Sequence, residues 1–330
     1  MFKISFCTVS MNRLQHIRET LPANLADNRD YANLEFVLYD YNSKDGLARW
    51  VEKNCKEALA SGKLIFKRTD QPRYFDWSRS KNQAFHLASG DIVCGIDADN
   101  FTGPGFAKFI NRHFQENPDS FLSMNYKDQF NNISDTFGRV ACYKKDFLAI
   151  GGYDESMKGY SYEDIDFCNR LTLLGRKQHF ITDKRFHKVI KHTDLDRIGS
   201  TAHFSSIHTV YISYLSPFES KVFFLFKDGG CSFGTLQDSN EGFGNPTIKE
   251  KRWITGEYHF DETGSLEIDL QGSHIKLLPK DEHLINERGE IFYEIKDGCF
   301  LEALQRHYSV IGNHQVLVNN MKEKKIKVNQ

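Results

Sequence analysis

The sequence lacks any long apolar run, and no stretch approaches the ~18 consecutive apolar residues that a membrane-spanning helix needs. Residues 1–6 also lack the apolar core of a secretory signal peptide and lead directly into a strand. We therefore expect a cytoplasmic protein with no transmembrane segment. Any contact with the membrane, at its inner face, would have to be peripheral.

Paired cysteines are missing as well. The chain has seven cysteines, an odd number, which lie far apart and mostly inside apolar segments, and it has no Cys-x-x-Cys pattern. This distribution argues against a disulfide scaffold and against a zinc or dithiol redox site. It predicts reduced core cysteines, in keeping with a cytoplasmic location.

Neither sign of charge is in excess. The chain carries 43 Lys and Arg residues against 44 Asp and Glu residues, a formal net charge of -1. Such a balance gives no general attraction to nucleic acid or to an anionic membrane surface. We therefore expect no nucleic-acid partner.

What the chain does contain is a repeated order of short apolar strand, polar loop and helix. Strands are predicted at residues 3–9, 34–39, 63–67 and 92–96, each followed by a polar loop and a helical pattern. This order predicts an α/β fold with a doubly wound, mostly parallel sheet. A length of 330 residues allows more than one domain, and we expect domains at 1–198 and 199–330.

The fourth predicted strand stops abruptly on Asp97 and Asp99. In a regular strand, residues at i and i+2 point to one face, so both carboxylates would share a face. Ligands of open α/β sheets bind beyond the carboxyl ends of such strands. Two hard oxygen donors suit a divalent cation, and a diphosphate could supply further oxygens. The alternative is a solvated strand end, since Asp-x-Asp is common in turns.

A second acidic cluster opens a later helix, with carboxylates at Glu163, Asp164 and Asp166. Ser161 and Asp164 have the spacing of a capping box, and acids in a first turn complement the helix dipole. These structural roles explain one or two of the carboxylates. If the helix start faces the central strand, the remaining one would lie in a cleft as a base.

Two histidines, His187 and His192, follow five residues apart. On a strand this spacing puts them on opposite faces, so at most one could join Asp99. The spacing alone does not choose between them.

Taken together and in this order, residues 2–197 resemble the GT-A glycosyltransferases, particularly family 2 and the β-1,4-galactosyltransferase group. The resemblance implies a GT-A fold, a uridine-diphosphate (UDP) sugar donor and Mn²⁺ or Mg²⁺ as cofactor. Asp97-Ala98-Asp99 occupies the family's Asp-x-Asp position, with Asp99 as the direct metal ligand beside Asp97.

Further matches imply roles for other residues. The segment from Asp40 to Gly46 is similar to the family's Asp-Asp-Gly-Ser-type loop, which holds uracil, although Tyr41 replaces the second Asp. Ser10 to Arg13 is similar to a nucleotide-contacting element, and the segment around Arg79 to an Asn-Arg-Ala-Lys-Leu-Leu-Asn helix. The nucleotide-binding residues implied in this way are Ser10, Asn12, Arg13, Asp40, Arg79 and Asp97.

Residues 160–170 resemble the family's Trp-Gly-Trp-Gly-Gly-Glu-Asp-Asp-Asp-Ile-Phe-Asn-Arg segment, which makes Asp164 the general base with Glu163 beside it. Ser161 and Tyr162 replace glycines there, so the acceptor pocket would have a different shape. Residues 189–192 are similar to Met-Ile-Arg-His, which implies His192 as a metal ligand. The residues implied at the donor and acceptor sugars are Gly151, Gly152, Tyr162 and Glu163.

The function implied is inverting, metal-dependent transfer of a hexosyl group (Gal, GalNAc, Glc or GlcNAc) from a UDP-sugar. The acceptor would be a hydroxyl of an oligosaccharide or lipid-linked glycan in surface polysaccharide biosynthesis. The alternative is a catalytically decayed sugar-nucleotide or glycan-binding protein on the same fold. A nucleotidyltransferase would need a glycine-rich phosphate loop after the first strand, which residues 10–13 do not provide.

From residue 199 onward the pattern changes to short strands, including a hairpin over residues 253–270. We expect a β-rich accessory module followed by a helix near 300–307. The glycine-rich run 230–244 predicts a lid or a linker, and the basic tail 321–327 a solvated end or a membrane anchor. Acceptor binding, membrane docking and oligomerisation all remain open as roles for this module.

Overall fold

The computed structural model describes residues 1–125, 136–157, 162–191, 207–216, 219–237, 254–295, 316–317 and 319–323. The chain divides into two compact units, Met1–Thr193 with Val316–Gln330, and Asp194–Gln315. The C-terminal residues thus group with the first unit, whereas we assigned all residues after 198 to the second domain.

The first unit is a layered α/β domain. Its strands are β1 (Ile4–Ser10), β2 (Leu34–Tyr41), β3 (Leu64–Thr69), β4 (Ile92–Gly95), β5 (Ser120–Ser123), β6 (Ala141–Tyr143) and β7 (Lys177–Phe180). Its helices are α1 (Leu14–Asp27), α2 (Leu47–Asn54), α3 (Lys56–Ala60), α4 (Trp77–Leu87), α5 (Phe106–Glu116), α6 (Lys144–Ala149) and α7 (Glu163–Leu173). None of the helices in the described ranges has the length and apolar character to span a bilayer.

The seven strands form one sheet in the order β3-β2-β1-β4-β6-β5-β7. All neighbours run parallel except β6, which is antiparallel to both β4 and β5. The mostly parallel, doubly wound sheet predicted from the sequence is therefore confirmed, and β4 lies at its centre.

The central strands are apolar on both faces because helices cover both. Phe6 of β1 and Ile92 of β4 pack into one hydrophobic cluster, whereas Cys7 and Val93, the next residues along each strand, pack into another. Burying a side chain of this size contributes roughly 1.5–3 kcal/mol, so the sheet that positions the strand ends is strongly held. Every cysteine in the described ranges is buried and forms no disulfide bond.

The second unit is a closed antiparallel sheet, which confirms the predicted β-rich module. Its strands, in the order in which the chain forms them, are β8 (Ile207–Ser216), β9 (Glu219–Phe226), β10 (Gly230–Gln237), β11 (Ile254–Phe260), β12 (Leu266–Leu270), β13 (Ser273–Lys280), β14 (His283–Ile285) and β15 (Ile291–Glu294). Each strand pairs with the next, and β15 pairs back to β8. Phe223, Ile268 and Phe292 belong to its buried interior.

Three predictions for this part of the chain need correction or fall, wholly or in part, outside the described ranges. The first half of the glycine-rich run forms β10, so residues 230–237 are neither lid nor linker. The reason is that Cys231 and Phe233 alternate inward with apolar partners, which favours a strand. Residues 238–244, the predicted helix at 300–307 and the tail beyond 323 lie outside the described residues.

Candidate active site

The polar groups of the candidate site follow three neighbouring strands of the first unit. β1 ends at Ser10, β2 ends one residue after Asp40, and β4 ends two residues before Asp97. Because β1, β2 and β4 are parallel, their carboxyl ends meet at one edge of the sheet. The three groups therefore gather at the edge where such folds bind ligands.

The carboxylate of Asp40 is fully buried, and its two oxygens differ in their hydrogen bonding. Its Oδ1 accepts a hydrogen bond from the Ser43 backbone N–H at 2.8 Å, whereas its Oδ2 has no hydrogen-bond partner. Arg68 Nη1 lies 3.8 Å from that oxygen. Burial raises the pKa of Asp40, against the opposing effect of the Ser43 bonds and the Arg68 charge. A buried acceptor without a donor is costly, so this oxygen suits an N–H group of a ligand.

Ser43 joins the ends of β1 and β2. Its Oγ accepts a hydrogen bond from the Asn12 backbone N–H at 3.0 Å and lies 3.5 Å from the Ser10 carbonyl oxygen. Asn12 has a left-handed φ of 57° and accepts a hydrogen bond from the Lys44 N–H at 2.7 Å. The structure therefore brings Ser10, Asn12 and Asp40 together around Ser43.

Arg68, one residue before the end of β3, also lies at this site and was not predicted from the sequence. Its Nη2 donates to the Ser43 carbonyl oxygen at 3.0 Å, and its register partner on β2 is Asp40. A basic residue near the end of the strand paired with β2 was the available signal, but it needs the strand pairing to be known.

The two predicted arginines lie on the helices nearby. Arg13 is half-buried at the start of α1, where its carbonyl oxygen accepts the first helical hydrogen bonds. Arg79 is exposed in the first turn of α4, whose N-cap Asp76 accepts a hydrogen bond from the Arg79 N–H at 3.0 Å. Burial raises the pKa of the Tyr41 phenol to about 12, and the positive charge of Arg79 opposes that rise. Arg79 therefore lies near enough to Tyr41, the last residue of β2, for its charge to act on the phenol.

Asp97 and Asp99 lie in a turn, not on a strand. β4 ends at Gly95, and the Asn100 N–H donates to the Asp97 carbonyl oxygen at 3.0 Å. Our expectation of two carboxylates on one strand face was wrong because the chain turns here. Gly138 makes room for the carboxylate, since a Cβ at that position would lie 2.4 Å from Asp97 Oδ2.

A buried arginine that we had not singled out, Arg139, lies close behind these acids. Its Nη2 donates to Asn100 Oδ1 at 3.2 Å and to the Phe101 carbonyl oxygen at 3.0 Å. Burial lowers the pKa of Arg139 to about 10, and the carboxylates of Asp97 and Asp99 oppose the fall. The guanidinium thus supplies a fixed positive charge next to the two acids.

Lys81 of α4 connects to the second acidic cluster. Its Nζ donates to Glu163 Oε1 at 3.0 Å and to Asp164 Oδ1 and Oδ2 at 2.8 and 2.9 Å. The lysine side chain is 8% exposed, that of Glu163 6% and that of Asp164 13%. Lys81 was not predicted as a site residue, although it lies two residues after Arg79. One ammonium group therefore holds both candidate catalytic carboxylates.

The charged groups of this cluster change one another's pKa values. Burial, helped by the carboxylates of Glu163 and Asp97, raises the pKa of Asp164 to about 7, against the opposing charge of Lys81. Burial likewise raises the pKa of Asp97, with Asp99 and Glu163 adding to the rise. For Lys81, burial acts to lower the pKa, but the three carboxylates around it raise it overall. Lys81 therefore stays charged while Asp164 titrates near neutral pH, where a general base works best.

The helix that carries these acids begins in an unusual way. Tyr162, with a left-handed φ of 70°, is the N-cap of α7 and makes no side-chain capping bond. Burial raises the pKa of its phenol. Ser161 lies outside the described residues, and the Asp164 carboxylate binds Lys81 rather than a capping partner. The Asp164 side chain is thus directed to the lysine.

The glycine turn before α7 is fixed from two sides. Gly151 and Gly152 have φ angles of 76° and 75°, which favour glycine. Asn82 of α4 accepts a hydrogen bond from the Tyr153 N–H at 2.7 Å, and a Cβ on Gly152 would lie 2.4 Å from Asn82 Oδ1. Arg170 of α7 donates to the Gly152 carbonyl oxygen at 2.6 Å. The predicted sugar-site glycines therefore lie between α4 and α7.

The predicted metal ligand His192 lies outside the described residues, but the segment that leads to it is described. Val189 forms an antiparallel bridge with Asn100, and the Ile190 N–H donates to the Asp99 carbonyl oxygen at 2.8 Å. The other histidine, His187, has its Nε2 3.0 Å from the Ile181 carbonyl oxygen. The chain therefore runs beside Asp99 two residues before His192.

Asp97 and Asp99 are the described residues that could hold a metal ion. No group of three or more His, Cys, Asp or Glu side chains forms a metal site within the described ranges. Two carboxylates are nevertheless hard oxygen donors. Burial raises the pKa of Asp97, the charge of Asp99 adds to the rise, and a cation would relieve that repulsion. The residues present fit a divalent cation that takes its other ligands from a diphosphate or from His192.

Comparison with solved structures finds several distant likenesses. A mannosyltransferase, PcManGT from Pyrobaculum calidifontis, in complex with GDP-Man and Mn²⁺, is 20% identical with a TM-score of 0.46, over 55% of each chain. Residues 1–349 of TarS from S. aureus are 17% identical with a TM-score of 0.47, over 59% of this chain and 61% of that one. A longer TarS structure is 10% identical with a TM-score of 0.46, over 89% and 85%. The chain thus spans little more than half the length of the first two.

Comparison with curated proteins gives no significant match. The sequence profile described as Glycosyl transferase family 2 matches residues 5–170, half of the 330-residue chain. That stretch runs from β1 to Arg170 of α7 and includes both acidic clusters. The chain therefore belongs to glycosyl transferase family 2, and its first unit has the GT-A fold.

Proposed function

We propose that the protein is an inverting, metal-dependent transferase that moves a hexosyl group from a UDP-sugar to a hydroxyl of a glycan acceptor. The observation that carries this proposal is Asp164, a carboxylate with a pKa raised to about 7 and held by Lys81 at 2.8 Å. A base that titrates near neutral pH can take a proton from a sugar hydroxyl as the new bond forms.

The nucleotide would bind at the ends of β1 and β2. The unpartnered Oδ2 of Asp40 can accept a hydrogen bond from the N3–H of uracil. Ser10, Asn12 and Arg13 line the adjoining β1–α1 connection, and Arg79 at the start of α4 would meet the diphosphate. Asp97 would contact the nucleotide as well as the cation.

Asp97, Asp99 and His192 would hold Mn²⁺ or Mg²⁺. When bound, the cation supplies Lewis-acid stabilisation of the diphosphate, worth several kcal/mol. Arg139, buried close to both acids, keeps a compensating positive charge at the turn. Backbone hydrogen bonds between this turn and the segment around Val189 hold Asp99 beside the residues that precede His192.

In the transfer step the acceptor oxygen bonds to the anomeric carbon while the bond from that carbon to the phosphate oxygen breaks. The acceptor proton passes to a carboxylate oxygen of Asp164, and UDP leaves with the bonding electron pair. Glu163, paired to the same lysine, and Tyr162 would line the acceptor side, and Gly151 and Gly152 the donor sugar. A group that takes this proton contributes typically 10²–10⁴-fold in rate.

The proposal also covers the donor sugar, the acceptor and the location of the enzyme. The acidic first turn of α7 suits a β-1,4-galactosyltransferase-like acceptor site, with a donor of the Gal, GalNAc, Glc or GlcNAc type. The acceptor would be an oligosaccharide or lipid-linked glycan in surface polysaccharide biosynthesis. The enzyme would work in the cytoplasm, at the inner face of the membrane where such acceptors are assembled.

The test is release of UDP from a panel of UDP-sugars by purified protein, with manganese and with chelator. We expect release from one sugar, lost with chelator and restored by manganese. If no donor is used with or without glycan acceptors, while UDP still binds, the chain is a sugar-nucleotide-binding protein. Turnover that persists undiminished in chelator would reject the metal assignment.

A further inference from the structure

A C-terminal segment, residues 316–323, belongs to the first unit although it follows the second in the chain. Asn320 is 2% exposed, whereas its neighbours at 321–323 are exposed. The Glu323 N–H donates to the Asn319 carbonyl oxygen at 2.9 Å, which closes a helical turn around it. Asn320 is therefore the side chain that enters the catalytic unit from this turn.

The Asn320 amide joins two parts of the candidate site. Its Nδ2 donates to Asp154 Oδ2 at 2.8 Å and to Asp166 Oδ1 at 2.9 Å. Asp154 stands two residues after Gly152, and Asp166 stands two residues after Asp164. One side chain thus ties the glycine turn to the first turn of α7.

The charges around this amide explain why both bonds matter. Asp154 is 1% exposed, and Asp166 and Arg170 are fully buried. Arg170 Nε donates to Asp166 Oδ2 at 2.6 Å, and its Nη1 donates to the Gly152 carbonyl oxygen. Arg170 thus pairs with one oxygen of Asp166, and the Asn320 amide donates to the other oxygen of Asp166 and to Asp154 Oδ2. Without Asn320 each of these two buried carboxylates would lose a hydrogen bond, which is costly.

We propose that Asn320 is a positioning residue of the active site. It holds the glycine turn in place against α7 and so fixes the distance from the donor sugar to Asp164. This inference rests on the proposed function for its catalytic consequence, since Asn320 touches neither substrate nor Asp164. A shift of about 1 Å in such a geometry can cost on the order of 10²-fold in rate.

The first test compares Asn320→Ala with Lys322→Ala, an exposed position in the same turn. We expect kcat to fall at least about ten-fold in Asn320→Ala, while the Kd for UDP with manganese stays within two-fold, roughly, because Asp40 and Asp97 belong to other strand ends. Lys322→Ala should match the unmodified protein. Unchanged kcat in a folded Asn320→Ala protein, measured well below its unfolding temperature, would overturn the inference.

A double-mutant cycle separates positioning from general stability. Asn320→Asp keeps the shape but adds a third carboxylate, and we expect a lower kcat than for Asn320→Ala. Adding Asp154→Asn restores a donor–acceptor pair, so kcat should recover in part. If thermal stability recovers and kcat does not, the role of Asn320 is structural only.

Hydrogen exchange gives a readout that does not need activity. In folded Asn320→Ala, backbone amides of residues 151–157 and 162–167 should exchange faster than in the unmodified protein, while those of β1 and β2 stay protected. Unchanged exchange in both segments would reject the proposed tie. If the unmodified protein turns over no donor but Asn320→Ala still shows the faster exchange, the structural role of Asn320 stands and the proposed function is refuted.

Discussion

Lys81 Nζ lies 2.8 Å from Oδ1 and 2.9 Å from Oδ2 of Asp164, so a single buried ammonium spans both oxygens of the candidate base. The same nitrogen also donates to Glu163. Two acids and one lysine leave one negative charge on this cluster. Burial is the main reason why Asp164 titrates near neutrality although it has a lysine partner, and the carboxylates of Glu163 and Asp97 add to the rise in its pKa.

The lysine should be essential to the fold of the site. Lys81→Met leaves Glu163 and Asp164 buried without their cation, which we expect to lower the free energy of unfolding by about 3–5 kcal/mol. Lys81→Arg keeps the charge and should lose less. Urea unfolding measures both, with the exposed Lys108→Met as control. Equal stability of Lys81→Met and the unmodified protein would contradict the buried triad.

The rate should depend on pH through Asp164. Its carboxyl group must be ionised to accept a proton, and burial raises its pKa to about 7. Below that pH we expect kcat/KM to fall about ten-fold per pH unit, and above it to level off. Asp164→Asn should bind UDP normally, lose most turnover and show no such limb. Glu116→Gln, an acid-to-amide change at an exposed position, serves as control. An ascending limb that persists in Asp164→Asn would belong to another group.

Space beside Asp97 should be needed for the cation. In Gly138→Ala the new Cβ would lie 2.4 Å from Asp97 Oδ2 and 2.7 Å from Oδ1, so the carboxylate must move. We expect manganese-dependent UDP binding to weaken by about ten-fold or more, because metal ligation tolerates little displacement. Calorimetric titration with UDP alone is the internal control, since the Asp40 site is untouched. Equal weakening with and without manganese would mean that the substitution disturbs the whole sheet edge.

Acid should weaken the fold through Glu35 of β2, a residue away from the site. Ser5 Oγ, the Ser89 N–H and Ser89 Oγ donate to its carboxylate at 2.6–2.7 Å, and Lys3 lies 2.8 Å away. Burial alone would raise its pKa, but these bonds lower it to about 2 from 4.5.

Because the folded pKa lies below the unfolded one, this group stabilises the fold above pH 4.5 and loses its effect as the pH falls towards 2. The shift corresponds to about 3 kcal/mol at most. Chemical denaturation of Glu35→Gln against the unmodified protein from pH 6 to 2.5 should show the difference shrinking with acid. A difference that stays constant over that range would refute the assignment.

Much of the sheet edge could be predicted because its signals are local. An apolar run that stops on a carboxylate marks both a buried strand and its end, which is how Asp97 was found, whereas Asp40 was implied by the resemblance to the family's Asp-Asp-Gly-Ser-type loop. The turn at Asp97 was missed because strand length is set by the partner strand, and β6 pairs with β4 only from Ile92 to Cys94.

The partners of the acids could not be predicted because they come from distant parts of the chain. Lys81 and Asp164 are 83 residues apart, and Asn320 and Asp154 are 166 apart. A lysine in a helix is usually exposed to solvent, and Lys81 is buried only because α4 packs against α7. Nothing in the sequence around Asn320 marks it as a core residue.

Two separate stretches of the chain form the first unit, and this has a consequence for biosynthesis. The ribosome makes residues 316–323 only after all of the second unit, Asp194–Gln315. The sheet can form early in translation, since domains generally fold as units from the N-terminus. Until Asn320 emerges, however, the nascent catalytic unit carries Asp154 and Asp166 without their amide donor, so the site reaches its final form only after the second unit has been synthesised.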